Sequence, residues 1–426
     1  IQVYGVIVYT VYKIATHLLR GLNTQKTQHC KISMTDKLAD EDFCPAPWTS
    51  LYIEPDGRID NCCISRNFIG NMNNVTDVNE IIVGGKNKNI QQLFLQNELP
   101  VGCAMCKPSL GVTHQKNFLN LYPKPNNELY QEGKFELKYL DARWSNTCNL
   151  ACVYCGPELS STWAKELEIE KIDPTDTTKK TYKIASDKSN LLIDYVLDNV
   201  HTLTSVYLAG GEPLLMKENQ LLIQAIKEKN PRCHILVNTN LTQIKNSKIV
   251  SDLLSLENKV NWLISIDDTQ ERFEYLRYPA KWSEFEENFE FLKSKVNPSN
   301  DITLNMVFNS LNAITIWDTI DYMMAKTSLK GITLSLYVSH GNVGPWDPRQ
   351  LPIEFQQQAM TRMDRPHYKK LDGWQRIYDY LSENIHQQQI IWEQLARIDR
   401  RRKLDSSKIF PEIYKYKNYR LNQLHE

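Results

Sequence analysis

From about residue 137 the chain alternates short β-rich runs with stretches whose apolar residues recur every three to four positions. The first pattern reads as strands and the second as amphipathic helices, and their alternation is the mark of βα units building a parallel sheet. Six candidate strands follow: Leu137–Ala142, Ser205–Ala209, His234–Thr239, Asn261–Ile266, Ile302–Phe308 and Gly331–Ser339. Between them, Leu191, Leu192, Tyr195, Val196 and Val200 share one helical stripe, and Phe285, Phe289, Phe291, Leu292 and Val296 share another. Six such units predict an α/β fold, a partial (β/α)6 TIM-like barrel whose reactive face is the C-terminal end of its strands. A polar insertion, roughly residues 157–187, follows the first strand and is placed to cover the barrel mouth.

The flanks read differently. Ahead of the barrel, Pro55-Asp56-Gly57 is a turn signal between two short β-like runs, so the spacing predicts a hairpin that brings Cys44 and Cys62 together. After residue 345, Pro345, Pro348 and Pro352 lead into helical sequence that ends in the basic run Arg397 to Lys403, read as a solvated helix packed on the barrel. Four segments result: 1–33, which precedes the first methionine, Met34, and reads as upstream read-through or a fragment end; a cysteine-rich α+β module over 34–125; the barrel over 126–345; and a helical extension over 346–426. The apolar run Ile1 to Tyr12 is too short to span a bilayer.

Charge excludes little but points away from two partner classes. Fifty Lys and Arg balance fifty Asp and Glu, so no global field recruits nucleic acid or a membrane surface. Ten cysteines in 426 residues change the picture, because they cluster. Tight thiol clusters in a chain of this length read as metal sites in a reducing compartment, hence a cytoplasmic protein, rather than as a disulfide framework. Cys30 and Cys233 stand apart, and Cys233, at a strand start, reads as a core residue.

Cys148, Cys152 and Cys155 form a CxxxCxxC on the loop after the first strand. Such a loop can aim three thiolates at one centre, and three ligands on a four-iron cubane leave one iron open for a substrate or cofactor. With Tyr154 just before the last cysteine, the segment resembles the signature of the radical S-adenosylmethionine (radical SAM) superfamily. Gly210-Gly211-Glu212-Pro213, at the end of the second strand, is similar to the family's GGEP, which holds the methionine amino group. Thr239-Asn240 resembles its TNG, Ser265-Ile266-Asp267 its SIDG, and Arg277 falls in a matching Tyr-Leu-Arg, while Leu241 and Asp268 stand where glycines are expected. The resemblance covers about 137–340. It implies a [4Fe–4S] cluster on the three cysteines, S-adenosylmethionine held by the other named residues, and reductive cleavage to a 5′-deoxyadenosyl radical that takes hydrogen from substrate. It also implies a reductant such as flavodoxin or ferredoxin, and it singles out no general acid, base or radical relay.

Cys44, Cys62, Cys103 and Cys106 supply four further thiols, which by ligand chemistry alone suit zinc or an iron–sulfur cluster. The Gly57 to Cys62 spacing and the later CxxC resemble SPASM/Twitch modules, implying one auxiliary [4Fe–4S] cluster, here in a module that precedes the barrel. Cys63 adjoins Cys62 but lacks that spacing. The resemblance implies a peptide or protein side chain as substrate. The alternatives are a small metabolite, sugar or nucleotide, and, in another class, a zinc-stabilised binding protein. Trp48 and Trp144, which flank the two clusters, read as packing that shields them, and His340 as a surface residue.

Overall fold

Along one strand, His234–Thr239, side chains alternate: Ile235, Val237 and Thr239 are buried, while His234, Leu236 and Asn238 keep partial access to solvent. The same period of two runs through Val260–Ser265, where Val260, Trp262 and Ile264 are buried. The buried rows pack into one core with the apolar faces of helices, such as Leu222, Ile223 and Ile226 of Lys217–Lys229 and Phe285, Phe289 and Leu292 of Trp282–Lys295. Each fully buried side chain of this size stabilises the fold by roughly 1.5–3 kcal/mol. The opposite rows line the concave face of the sheet, and there Asn238, Ser265 and Asn305 hydrogen-bond across three strands.

The computed structural model describes residues 43–106, 128–170, 184–257, 259–297, 300–326, 331–336, 344–383 and 390–417. Nine strands occur in them: β1 (Ser50–Ile53), β2 (Arg58–Asp60), β3 (Gly70–Asn71), β4 (Tyr139–Ala142), β5 (Ser205–Leu208), β6 (His234–Thr239), β7 (Val260–Ser265), β8 (Asp301–Phe308) and β9 (Gly331–Leu336). They form one sheet in the order β3-β2-β1-β4-β5-β6-β7-β8-β9, with β4 to β9 all parallel and joined by helices. The six expected barrel strands are thus present as a partial barrel. The two expected helical stripes lie in Ser189–Asp198, continued by the 3-10 turn Val200–Thr202, and in Trp282–Lys295, except that Leu191, expected on the first stripe, is exposed and Ile193 is buried instead.

The predicted hairpin is β1–β2, closed by Gly57, whose φ of 85° suits glycine and whose N–H donates to Glu54 O at 2.9 Å. The cysteine-rich module and the barrel share one sheet, because β1 pairs in parallel with β4 from Ser50↔Tyr139 to Ile53↔Ala142. This register sets Tyr52 beside Asp141, and Asp141 beside Tyr207, on the concave side. Backbone donors and acceptors on β4 that a barrel alone would leave unpaired are satisfied this way.

The C-terminal region is helical, as expected: Ile353–Met363, Trp374–Ser382, Ile391–Arg402, Ser406–Ile409 and Pro411–Tyr414. Among the described residues no helix is long and apolar enough to cross a membrane. Cys30, Met34 and His340 lie outside the described residues, as does part of the polar insertion, 171–183.

Candidate functional site

The CxxxCxxC loop leaves β4 and is held by its carbonyls. Thr162 Oγ1 donates to Cys148 O at 2.7 Å, Ser160 Oγ to Leu150 O at 2.6 Å, Arg402 Nη2 to Ala151 O at 2.7 Å and Trp163 Nε1 to Cys152 O at 2.6 Å. Two of the loop's N–H groups, those of Ala151 and Val153, donate in turn to Tyr278 O and Leu276 O at 2.7 and 2.9 Å. A loop bonded from both sides in this way fixes where three partly buried cysteines point.

Those sulfurs share one neighbourhood. Burial pushes the Cys148 thiol up to about 12, Cys152 adds to that rise, and Cys155 is raised in turn by burial and by both other cysteines. Arg277 Nη1 stands 4.0 Å from Cys152 Sγ, and Asn240 Nδ2 stands 3.9 Å from Cys148 Sγ. Thiols this reluctant to ionise become ligands only where a metal's charge compensates. A cubane takes each cysteine on a separate iron, and three thiols presented by one braced loop fit a [4Fe–4S] group.

The expected cofactor-binding segments meet this loop. Gly210 has φ 103°, and a Cβ at Gly211 would lie 2.1 Å from Thr147 O, so the paired glycines admit a close approach of β5's end to the cysteine loop itself. Glu212 N donates to Thr147 O at 2.7 Å. Its carboxylate, fully buried, accepts from Thr239 Oγ1 (2.8 Å), Asn240 N (2.8 Å) and Leu214 N (3.2 Å), and so ties Gly210 to Pro213 onto Thr239-Asn240. Leu241, where the resemblance leads one to expect glycine, takes a glycine-like φ of 65° with its side chain wholly buried. Asp268, at the other such position, is buried and accepts from Thr315 Oγ1 at 2.6 Å.

Asp267 and Arg277 form a buried pair, Nε to Oδ2 2.8 Å, and Asp267 also accepts from Tyr154 OH at 2.5 Å and Val307 N at 2.7 Å. The pair therefore braces the underside of the cysteine loop. Ser265 sits on the concave face, its Oγ donating to Asn238 Oδ1 at 3.1 Å. Trp144 and Trp48 are buried with their indole N–H groups bound to Asn219 Oδ1 and Gln131 O. Cys233 is a buried core residue.

Burial pushes Glu212 up to about 7 from near 4.5, against its three donors. A carboxyl that holds its proton more tightly when folded contributes its stability fully below about 4.5 and loses it as the pH rises through about 7. The expected outcome is a thermal midpoint that falls between pH 5 and 8, flattened in Glu212→Gln. An unchanged slope in that variant would count against the assignment.

In the N-terminal module, Cys44, Cys62 and Cys103 come together. Burial raises the Cys44 thiol, with Cys62 and Cys103 adding to it, and burial pushes Cys103 up to about 12, with Cys62 adding. Ser65 N and Asn67 Nδ2 donate to Cys62 Sγ and Cys103 Sγ at 3.4 and 3.1 Å. Beside them Asn61 is buried with both side-chain polar atoms unmet, a further sign that this centre receives a group. Cys106 ends the 3-10 helix Val101–Cys106, which leads on from Cys103. Burial raises the Cys63 thiol, with Asp141 on β4 and then Cys62 adding to it.

Five contributors lie outside the motifs. Ser160, Thr162 and Trp163 fall in the insertion expected to be a polar cover, yet they bind the cysteine loop directly, and the short hydroxyl run that begins six positions after Tyr154 is the sequence signal for it. The basic run has the pattern of a solvated face, yet Arg402 is buried against Trp163, Tyr278 and Glu166. On the concave wall, Arg143 is held by Asp141, Nε to Oδ1 3.1 Å, and lies 4.8 Å over the Tyr52 ring.

Comparison with known proteins bears on both centres. The family model described as the radical SAM superfamily matches residues 143–323, and one described as an iron–sulfur cluster-binding domain, SPASM, matches 44–107. No curated protein matches the chain. Among solved structures, a histidine-tagged anSMEcpe with bound AdoMet is 21% identical, with TM-score 0.39, over 59% of this chain and 61% of that one. SuiB of Streptococcus suis bound to S-adenosylmethionine is 14% identical, with TM-score 0.37, over 76% and 70%. SuiB bound to its precursor peptide SuiA is also 14% identical, with TM-score 0.36, over 79% and 70%. The chain spans about three fifths of the length of the first of these.

Proposed function

This chain carries a radical SAM domain behind an iron–sulfur cluster-binding SPASM domain, and from that premise we propose that it is an enzyme that cleaves S-adenosylmethionine reductively and uses the product to take hydrogen from a peptide or protein side chain. Its cofactors are S-adenosylmethionine and a [4Fe–4S] cluster, with auxiliary iron–sulfur at the N-terminal domain. The bound cofactors supply the one-electron chemistry. The observation that carries the reading is the meeting of Cys148, Cys152 and Cys155 with the Glu212–Thr239–Asn240 network at one end of the sheet.

The chain's own residues hold and screen that chemistry. Thr162, Ser160, Trp163 and Arg402 fix the loop that presents the three thiols. Glu212, bound to Thr239 and Asn240, fixes the loop that receives the methionine end of the cofactor. Asp267, Arg277 and Tyr154 close the site from beneath and exclude water there. The peptide reading is supported by the concave wall, where Tyr52, Tyr139, Asp141, Arg143 and Tyr207 line neighbouring strands. Tyrosine and an oriented guanidinium suit a polypeptide, whose carbonyls accept hydrogen bonds along its length. Unpaired cysteines at both centres suit a reducing cytoplasm and an electron donor of the flavodoxin or ferredoxin kind.

Anaerobic reconstitution followed by iron counting is expected to give about eight irons per chain, two cubanes of four. S-adenosylmethionine and dithionite should then yield 5′-deoxyadenosine. Stoichiometric zinc without cleavage would overturn the reading, and about four irons would remove the auxiliary cluster. A perdeuterated protein digest should pass deuterium into 5′-deoxyadenosine, whereas transfer only from a perdeuterated small-metabolite fraction would overturn the substrate class.

A further inference from the structure

The C-terminal extension reaches the cysteine loop through one side chain. Arg402 ends the helix Ile391–Arg402, which is anchored to the core by Ile391, Leu395 and Ile398. Its Nη2 donates to Ala151 O, between Cys148 and Cys152, at 2.7 Å. Nε and Nη2 bind Glu166 at 3.0 and 3.2 Å, and the guanidinium lies 4.7 Å from the Tyr278 ring centre and 5.2 Å from that of Trp163. Trp163 in turn holds Cys152 O.

The remaining edge is unmet. Arg402 Nη1 is buried, and among the described residues no acceptor reaches it. Buried donors in folded proteins are paired almost without exception, and a cationic donor all the more so. The local charge points the same way: Glu166 is shared by Arg401 and Arg402, so its single negative charge is divided between two guanidiniums beside the loop. Arg277 is charge-paired with Asp267, Nε to Oδ2 2.8 Å, although that Nε also lacks an acceptor in hydrogen-bond geometry.

We propose that Arg402 is a positioning residue of the radical SAM centre, through which the C-terminal extension fixes the Ala151 carbonyl and offers its buried Nη1 edge to the sulfur of the cluster held by Cys148, Cys152 and Cys155. The proposal rests on the functional reading above. It makes the last helices a working part of the barrel's active end. A cation beside a centre that gains an electron favours the reduced state, so Arg402 raises the cluster's midpoint potential toward what its electron donor can deliver.

The test uses the full chain, reconstituted anaerobically, and a redox titration followed by electron paramagnetic resonance. The signal to follow is the one that changes on adding S-adenosylmethionine, which separates the open-iron cluster from an auxiliary one. In Arg402→Met the midpoint is expected to move to more negative potential, and uncoupled 5′-deoxyadenosine formation to fall about tenfold, the scale of one charged hydrogen bond. Arg402→Lys, which keeps the charge but not the forked edge, should lie between, and it carries the test alone if the Met variant does not fold. Midpoints that coincide with wild type in the folded variants, beside a lowered thermal midpoint, would overturn the proposal and leave Arg402 as a structural staple. Wild-type protein with no S-adenosylmethionine-responsive signal would overturn the functional reading, and the proposal with it.

Discussion

Replacing Cys148, Cys152 and Cys155 together by alanine is expected to remove about four irons per chain and all 5′-deoxyadenosine formation above the protein-free background. The loop around them should survive the change, because Ser160, Thr162, Trp163 and Arg402 bind its carbonyls and not its sulfurs. Loss of iron would then report ligation and not collapse, and a thermal midpoint close to wild type checks that point. Cys233→Ala, in the core at the start of β6, should leave iron content unchanged. Retention of the full iron complement in the triple variant would remove these residues as ligands.

Asp267→Ala is expected to cost about 3–5 kcal/mol of folding stability, the scale of breaking a buried ion pair from one side. Asp267 is fully buried and bound by Tyr154 OH, Val307 N and Arg277 at once. Its removal strands the Arg277 charge, 4.0 Å from the sulfur of Cys152, with no counter-ion. Asp267→Asn keeps the shape and part of the hydrogen bonding, so a smaller loss is expected. Anaerobic denaturant titration of the apo-protein measures both. A loss under about 1 kcal/mol in the alanine variant would mean that solvent reaches Arg277 and that the brace beneath the loop is not what holds it.

Much of the barrel was legible because period-two and period-3.6 patterns are local properties. β6 falls at its predicted limits, and Phe285, Phe289 and Leu292 mark the buried stripe of the helix before β8. The cysteine loop and the segment around Glu212 were legible for the same reason, since each is continuous in sequence. What was not legible depends on contacts between distant residues. Nothing near Arg402 in sequence shows that it will meet Ala151, 251 positions away, and a basic helical run has the composition of a solvated face. The expected glycine after Thr239-Asn240 is a different case. Leu241 keeps the left-handed backbone and offsets its strain, about 1 kcal/mol or more, by complete burial of the side chain, a trade that only the packed fold reveals.

The parallel pairing of β1 with β4 has a consequence for how the molecule comes apart. A barrel of six strands has two open rims, and any rim is a template on which another chain can add a strand. Residues 50–53 occupy the β4 rim and pass the outer position to the two-residue β3, which is too short to recruit a neighbour. The cysteine-rich segment is therefore also a guard. Cut free of it, the barrel would present a bare strand with Leu140 and Ala142 in its row, and self-association would compete with refolding. The two centres accordingly stand or fall as one cooperative unit, and proteolysis between them should yield aggregate in place of a soluble barrel.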